Sequence, residues 1–196
     1  LMEFYIFMVK KHPKLIVYAP FSIMSALLFV LKIFSAKKAK ENFISFINGI
    51  SEKDMELLTK EFYEKRLSKI FYKDALYTLK KFKNSGYKIY IISASAEFYL
   101  KELYRIESID KIIGTRFEVV NGKHTRKILG QNCKGEEKVV RLMESLKKDN
   151  IEVDFKNSYM FSDSLSDLPL FKLVGNPYLI NYTRKDNQGI EVLRWK

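Results

Sequence analysis

The stretch YMFSDSLSDLPLF, residues 159–171, sets two aspartates four positions apart at the end of an apolar run. Residues 159–161 predict a short buried strand, and the apolar residues after Asp167 predict a helix. A turn needs only one aspartate, whereas paired carboxylates suit Mg²⁺. We therefore expect Asp163 and Asp167 to form a metal or phosphate site. The alternative makes Ser166 a helix N-cap and Asp167 a favourable first-turn residue, but it gives Asp163 no role.

The second half of the chain alternates between helical and strand patterns. In order, it predicts a helix over 73–86, a strand over 87–93, a helix over 94–106, a hairpin at Asn121-Gly122, a helix over 135–150 with Val139, Leu142, Met143 and Leu146 facing inward, and a last strand over 176–182. This alternation predicts an α/β fold with a parallel, doubly wound sheet. Ligands of such sheets bind beyond the carboxyl ends of the strands.

The first half predicts helices throughout, from residue 1 to about 84. Ser35 is a predicted N-cap, and Ser51 with Asp54 forms a variant of the capping box. We expect a helical domain over 1–72 and an α/β domain over 73–196. The second domain is expected to carry the small hairpin near 117–129.

One segment of the first half, LIVYAPFSIMSALLFVL over residues 15–31, has no charged residue. Its 17 residues are at the lower limit for a membrane span. Pro20, Ser22 and Ser25 interrupt the apolar run. A buried helix pair is the favoured interpretation, and an interfacial helix that contacts lipid through 15–31 is the alternative.

The composition indicates a soluble globular protein: 47% of the 196 residues are hydrophobic, and 35 basic against 23 acidic residues give a net charge of +12. The lysines are scattered and no Arg-rich stripe occurs, so a solvated basic surface is favoured over a polyanion site and no nucleic-acid partner is expected. Cys133 is the single cysteine. It excludes an intrachain disulfide and favours a cytoplasmic location.

Further polar residues fall near the predicted strand ends. Ser93 closes a predicted strand and Ser95 could cap the next helix, where hydroxyls and free amides could hold a phosphate oxygen; a simple cap is the alternative. Lys138 lies in the first turn of its helix, where the helix dipole disfavours a cation. Because helical side chains point toward the N-terminus, its ammonium is expected to reach the strand ends. The alternative is a surface lysine, with Glu136 and Glu137 offsetting the dipole.

Three segments carry a family resemblance: IISASAEFYLK (91–101), NCKGEEKVVRL (132–142) and YMFSDSLSDLPLFKLVGNPYLIN (159–181). In this order they resemble the second, third and fourth motifs of the haloacid dehalogenase (HAD) superfamily, and most closely its phosphoserine-phosphatase-like subfamily IB. The resemblance covers nearly the whole chain. It implies a Rossmann-like core with a helical cap domain.

The resemblance also implies roles for the residues singled out above. Ser93 and Lys138 bind the transferred phosphoryl group, with Ser95 contributing less, and Lys138 also steadies the charge of the nucleophile. Asp163 ligates Mg²⁺ and Asp167 supports the metal shell. The implied function is Mg²⁺-dependent hydrolysis of a small phosphorylated substrate.

One motif of the family has no match. Its Asp-x-Asp-x-Thr motif, on the central first strand, supplies the nucleophile and the general acid. The earliest aspartate here, Asp54, falls in a helical pattern. We therefore expect the chain as written to lack the central strand and to be an impaired phosphatase, whose reaction needs an aspartate upstream of Leu1 to attack phosphorus.

Two other functions stay open from the sequence. The missing motif favours a non-catalytic remnant that binds phosphate without turnover. The apolar segment 15–31 and the positive charge favour a membrane-surface protein that acts on lipid phosphates.

Overall fold

The computed structural model describes all 196 residues. The helices are α1 (Met2–Lys11), α2 (Tyr18–Val30), α3 (Ala36–Phe43), α4 (Glu52–Lys65), α5 (Lys73–Asn84), α6 (Glu97–Leu100), α7 (Glu136–Lys148) and α8 (Leu168–Phe171). The strands are β1 (Tyr90–Ala96), β2 (Lys111–Thr115), β3 (Phe117–Val120), β4 (Lys123–Ile128), β5 (Tyr159–Ser162), β6 (Asn176–Ile180) and β7 (Glu191–Leu193). The order confirms the predicted all-helical first half and the mixed second half.

The chain forms two compact units. The first comprises Leu1–Ile70, Ser95–Ile106 and Gly114–Asn132, and the second comprises Phe71–Ala94, Glu107–Ile113 and Cys133–Lys196. This grouping differs from the expected division between residues 72 and 73, because two later segments belong to the first unit. The hairpin is in one of these segments, whereas the sequence assigned it to the α/β domain.

Local capping signals act in the first unit as the sequence predicts. Ser35 Oγ accepts a hydrogen bond from Lys38 N at 3.1 Å at the start of α3, and Ser51 Oγ accepts one from Asp54 N at 3.1 Å at the start of α4. The capping box itself is altered. Asp54 Oδ2 accepts from the Ser51 hydroxyl at 2.6 Å, because aspartate is one methylene too short to reach the backbone N–H that a glutamate would bind.

The core of the first unit is aromatic. The fully buried Phe4 lies 5.1 Å from Phe62, 5.4 Å from Tyr99 and 5.6 Å from Phe98, measured between ring centroids. Aromatic pairs at these separations are worth about 0.5–1.5 kcal/mol beyond their area burial. The core therefore joins α1, α4 and α6, which are far apart in sequence.

The hairpin β3–β4 confirms the prediction made from Asn121-Gly122. The two strands pair antiparallel, and Asn121 (φ 51°) and Gly122 (φ 70°) both adopt positive φ. A two-residue turn of this type requires positive φ at both positions, and Asn-Gly tolerates it best.

The apolar segment around α2 is not a buried helix pair, so that interpretation is wrong. Only Ser22 and Ser25 of α2 are buried, and α2 packs against α3. Pro13–Val30 is the one helical stretch long and apolar enough to cross a membrane by length and composition, and 11% of it is buried. Core helices of soluble proteins and signal sequences pass the same test of length and composition.

The second unit contains parallel strands, as predicted. β6 pairs in parallel with β5 on one side and β7 on the other. β1 and β2 form a separate two-stranded sheet, whereas the sequence predicted one doubly wound sheet. Most of β1 is half-buried.

The start of β6 depends on a close backbone approach at Gly175. Gly175 N donates to Phe155 O at 2.9 Å, and a Cβ at this position would lie 1.9 Å from the carbonyl oxygen of Lys156. No other residue type fits without moving the backbone. This close contact lies at the start of β6, which then pairs with β5. In β6, Leu179 packs with Phe171 and Ile190.

Candidate active site

The loop after β5 places the two aspartates in different environments. Ser164 Oγ accepts from Ser166 N at 3.2 Å and caps the short 3₁₀ helix Leu165–Asp167. The alternative that made Ser166 the N-cap is therefore wrong. Asp163, directly after the strand, is exposed, whereas Asp167 is 6% exposed.

The buried Asp167 carboxylate has one ion-pair contact, at Oδ1, and one hydrogen bond, at Oδ2; Oδ1 itself accepts no hydrogen bond. Lys138 Nζ lies 2.6 Å from Oδ1, and Ser162 Oγ donates to Oδ2 at 2.8 Å. Lys138 is itself 6% exposed, so the interpretation of Lys138 as a surface lysine is wrong. A buried cation is tolerated when it is paired in this way.

A glycine at the start of α7 sets the position of Lys138. Gly135 has φ 59° and ψ −129°, a conformation that is essentially restricted to glycine. Lys138 N donates to Gly135 O at 3.0 Å, which forms the first turn of α7. A Cβ at Gly135 would lie 3.9 Å from Ser166 O, so the beginning of α7 lies beside the loop that follows β5.

A second buried cation of α7 was missed by the sequence interpretation. Arg141 is 5% exposed, and its Nε donates to Glu137 Oε1 at 2.8 Å. Met143, predicted to face inward, is exposed. The available signal was the i, i+3 spacing of Lys138 and Arg141, which puts both on one side of the helix.

A pocket of about 320 Å³ opens where β5 and β6 end. It is lined by Asp163, Ser164, Leu165, Ser166, Asn181, Tyr182, Thr183 and Arg184. Its position follows the rule that ligand sites of parallel sheets lie beyond the carboxyl ends of the strands. Thr183 and Arg184 were not predicted, although they follow the strand that pairs with β5.

The two predicted serines lie on β1, at half-buried positions. β1 continues to Ala96, so Ser93 does not close the strand. Ser95 does not cap α6, which has Ala96 at its N-cap position and no side-chain cap. Ser93 belongs to the second unit and Ser95 to the first. Of the predicted residues, Lys138 and Asp167 form an ion pair.

The residues around the pocket fit a Mg²⁺ site in which the substrate supplies some of the metal ligands. Mg²⁺ binds through one or two carboxylates, several waters and substrate phosphate. Asp163 offers an exposed carboxylate in a pocket that also contains serine and threonine side chains, all of them hard oxygen donors. Because Asp167 is buried and already paired with Lys138, the exposed Asp163 is the better direct ligand. No cluster of three or more His, Cys, Asp or Glu side chains occurs, so protein ligands alone would not complete the site.

Comparisons with solved structures support the fold. A Bordetella pertussis Tohama I protein of unknown function superimposes with a TM-score of 0.77 at 22% identity, over 86% of this chain and 78% of that chain. A probable phosphoserine phosphatase from Vibrio cholerae gives a TM-score of 0.70 at 15% identity, over 90% of this chain and 52% of that chain. At these identities the likeness shows the fold alone.

Comparisons of sequence identify the family. A histidinol-phosphatase of Neisseria meningitidis serogroup C (strain 8013) is 31% identical over 99 residues, which are 50% of this chain and 45% of that protein. The chain spans less than half the length of the curated relatives it matches. The model of the haloacid dehalogenase-like hydrolases matches residues 1–172, and the chain therefore belongs to the haloacid dehalogenase-like hydrolase family.

Proposed function

We propose that the protein is a Mg²⁺-dependent phosphatase that hydrolyses a small phosphate monoester. The observation that carries the proposal is the arrangement after β5, where buried Lys138 pairs with Asp167 and Asp163 is exposed four residues earlier. Membership of the hydrolase family supports the reaction class. The names of the relatives suggest histidinol phosphate and phosphoserine as first substrates to test.

In this proposal Lys138 binds the phosphoryl group of the substrate. Its ammonium is held by Asp167 on one side, so the side chain keeps a fixed position without a large entropy loss on binding. A fixed cation in a water-poor site stabilises the charge that develops on phosphoryl oxygens. Asp167 is then a positioning residue that acts through Lys138.

Asp163 is proposed as the protein ligand of Mg²⁺. The metal, when bound, would supply positive charge against the phosphoryl oxygens. Asp163 contributes one carboxylate and leaves the remaining positions to water and substrate, and the open pocket leaves room for both. Ser93 is proposed as a further contact of the phosphoryl group, with Ser95 contributing less.

Two measurements on the protein expressed from its complete gene test this function. One is Mg²⁺-dependent hydrolysis of an aryl phosphate, of histidinol phosphate and of phosphoserine. The other is calorimetric titration with Mg²⁺. For Asp163→Asn we expect hydrolysis to fall about 10²–10³-fold, as expected when one group that stabilises transition-state charge is lost, and Mg²⁺ affinity to fall with it.

Glu152→Gln is the matched control, because it removes one negative charge at another exposed position of the second unit. Unchanged hydrolysis and Mg²⁺ affinity in Asp163→Asn would reject Asp163 as the ligand. Phosphate binding without any turnover in the wild-type protein would favour the non-catalytic remnant instead.

A further inference from the structure

Ten large apolar side chains between residues 16 and 33 are exposed. They are Ile16, Val17, Phe21, Ile23, Met24, Leu27, Phe29, Val30, Leu31 and Ile33. The buried positions of α2 are instead Ser22 and Ser25. This distribution is the reverse of that of a water-facing helix, whose apolar side packs inward. An exposed apolar surface of this size marks an interaction site.

We propose that this surface, residues 16–33, docks on an anionic lipid bilayer with α2 lying in the plane of the membrane interface. The proposal concerns where the protein binds and does not rest on the phosphatase activity. Three features of the chain select this occupant: the width of the apolar surface, the charges at its ends and the packing of α2.

The apolar surface extends around most of the circumference of α2. Phe21 and Val30 are both exposed, and nine residues at about 100° each amount to two and a half turns, so they project from opposite sides. A second copy of the chain would cover one stripe, roughly 100° wide. A fluid acyl-chain environment contacts every side that faces away from the protein, and it therefore fits the wide surface better.

Positive charges flank the apolar surface at both ends. Lys10 and Lys14 precede it, Lys32 lies at its C-terminal end and Lys38 follows it, and all four are exposed. No acidic residue occurs between Glu3 and Glu41. Lysines near a bilayer surface are attracted to anionic headgroups, and the cytoplasmic leaflet is the anionic one. The flanks thus complement an anionic lipid surface in charge.

The charges at its ends and the packing of α2 favour an in-plane orientation over a spanning one. Because lysines lie at both ends of the segment, an in-plane helix keeps both ends at headgroup level, whereas a spanning helix would carry one end across the bilayer. α2 also packs against α3 in the first unit. Spanning would separate α2 from α3, whereas docking leaves that contact intact.

Co-sedimentation with vesicles tests the proposal, using the protein expressed from its complete gene. The probes are phosphatidylcholine vesicles and vesicles of phosphatidylcholine with phosphatidylglycerol, each at low and high salt. We expect binding to the anionic vesicles that salt weakens. Ile23→Gln/Val30→Gln should reduce binding at least about tenfold, because each residue loses a buried apolar contact with the acyl chains.

Two control variants isolate the apolar and charge contributions. Val140→Gln changes an equally large apolar residue, 48% exposed on α7, and should bind like the wild type. Lys14→Gln/Lys32→Gln should weaken binding to anionic vesicles about 10–30-fold, since each lysine near the surface contributes about 1 kcal/mol. Lys147→Gln/Lys148→Gln, which removes two exposed charges at the end of α7, should have no such effect.

Three outcomes overturn the proposal. Absence of binding at low salt removes it, and equal binding to neutral and anionic vesicles removes its charge component. A concentration-dependent dimer without vesicle binding, dissociated by Ile23→Gln/Val30→Gln, would assign the surface to a second copy of the chain. Circular dichroism of each variant checks that α2 is intact.

Discussion

Helices α2 and α7 have the same length, 13 residues each, and both bury polar side chains. α2 buries two serines and exposes its apolar residues. α7 buries Lys138 and Arg141 and exposes Val140 and Met143. α7 also buries Leu146, so the feature that the two helices share is the burial of polar side chains.

The difference lies in the partners of the buried groups. Lys138 has Asp167 at 2.6 Å and Arg141 has Glu137 at 2.8 Å, so the buried charges of α7 are compensated within the chain. The buried Ser22 hydroxyl has no hydrogen-bond partner. α7 is therefore explained by its contacts within the second unit, whereas no contact within residues 1–196 covers the exposed apolar residues of α2.

The largest change in stability is expected when the buried ion pair between Lys138 of α7 and Asp167 is removed. Lys138→Met should destabilise the protein by about 3–5 kcal/mol, because it leaves the Asp167 carboxylate buried without a counter-charge. Urea unfolding followed by fluorescence of Trp195, the single tryptophan, measures it in the second unit. Lys147→Met, exposed on the same helix, is the control.

A double variant separates the contribution of the ion pair to stability from the contribution of side-chain packing at the same positions. Lys138→Met/Asp167→Leu should recover most of the lost stability, since replacing a buried ion pair by apolar groups is often neutral. If Lys138→Met alone lowered the free energy of unfolding by less than about 1 kcal/mol, the pair would be solvated. This result would contradict the difference between the buried groups of α7 and those of α2.

An intermediate effect is expected from the residue that starts α7. Gly135→Ala should cost about 1–3 kcal/mol, because φ 59° with ψ −129° is strained for any residue with a Cβ. The same Trp195 fluorescence measures it, and Glu136→Ala, at the exposed next position, is the control. An unchanged urea midpoint would mean that the start of α7 rearranges at little cost.

The smallest change in stability is expected in α2, and there the substitution should stabilise the protein. Ser22→Ala should stabilise the first unit by about 0.5–1 kcal/mol, because alanine is the better helix former and no hydroxyl is then buried unpaired. Thermal unfolding by circular dichroism measures the change. Ala26→Ser, exposed on the same helix, isolates the helix-propensity contribution. A clear loss of stability in Ser22→Ala would show that its hydroxyl is compensated after all.

Features set by neighbouring residues could be predicted from the sequence. Ser35, Ser51 and the Asn121-Gly122 turn act within a few positions of themselves, and each has the predicted backbone role. Asp163 and Lys138 were singled out for the same reason, since a strand end and a helix start are local signals. Their proposed roles in binding still await the tests above.

Features set by distant contacts could not be predicted. The burial of Arg141 and the packing of α2 depend on which elements meet in three dimensions, and a charged or apolar pattern alone does not identify them. Thr183 and Arg184 line the pocket only because β6 pairs with β5. The assignment of the hairpin to the first unit likewise depends on long-range contacts.

The aromatic core of the first unit has a consequence for synthesis on the ribosome. Phe4 packs against Phe62, but also against Phe98 and Tyr99. At 5–20 residues per second, the chain needs roughly 2–7 s to extend from residue 62 to residue 99. During this interval α1 and α4 are present without the residues that complete their core, so the nascent first unit is open to chaperones for seconds before it can close.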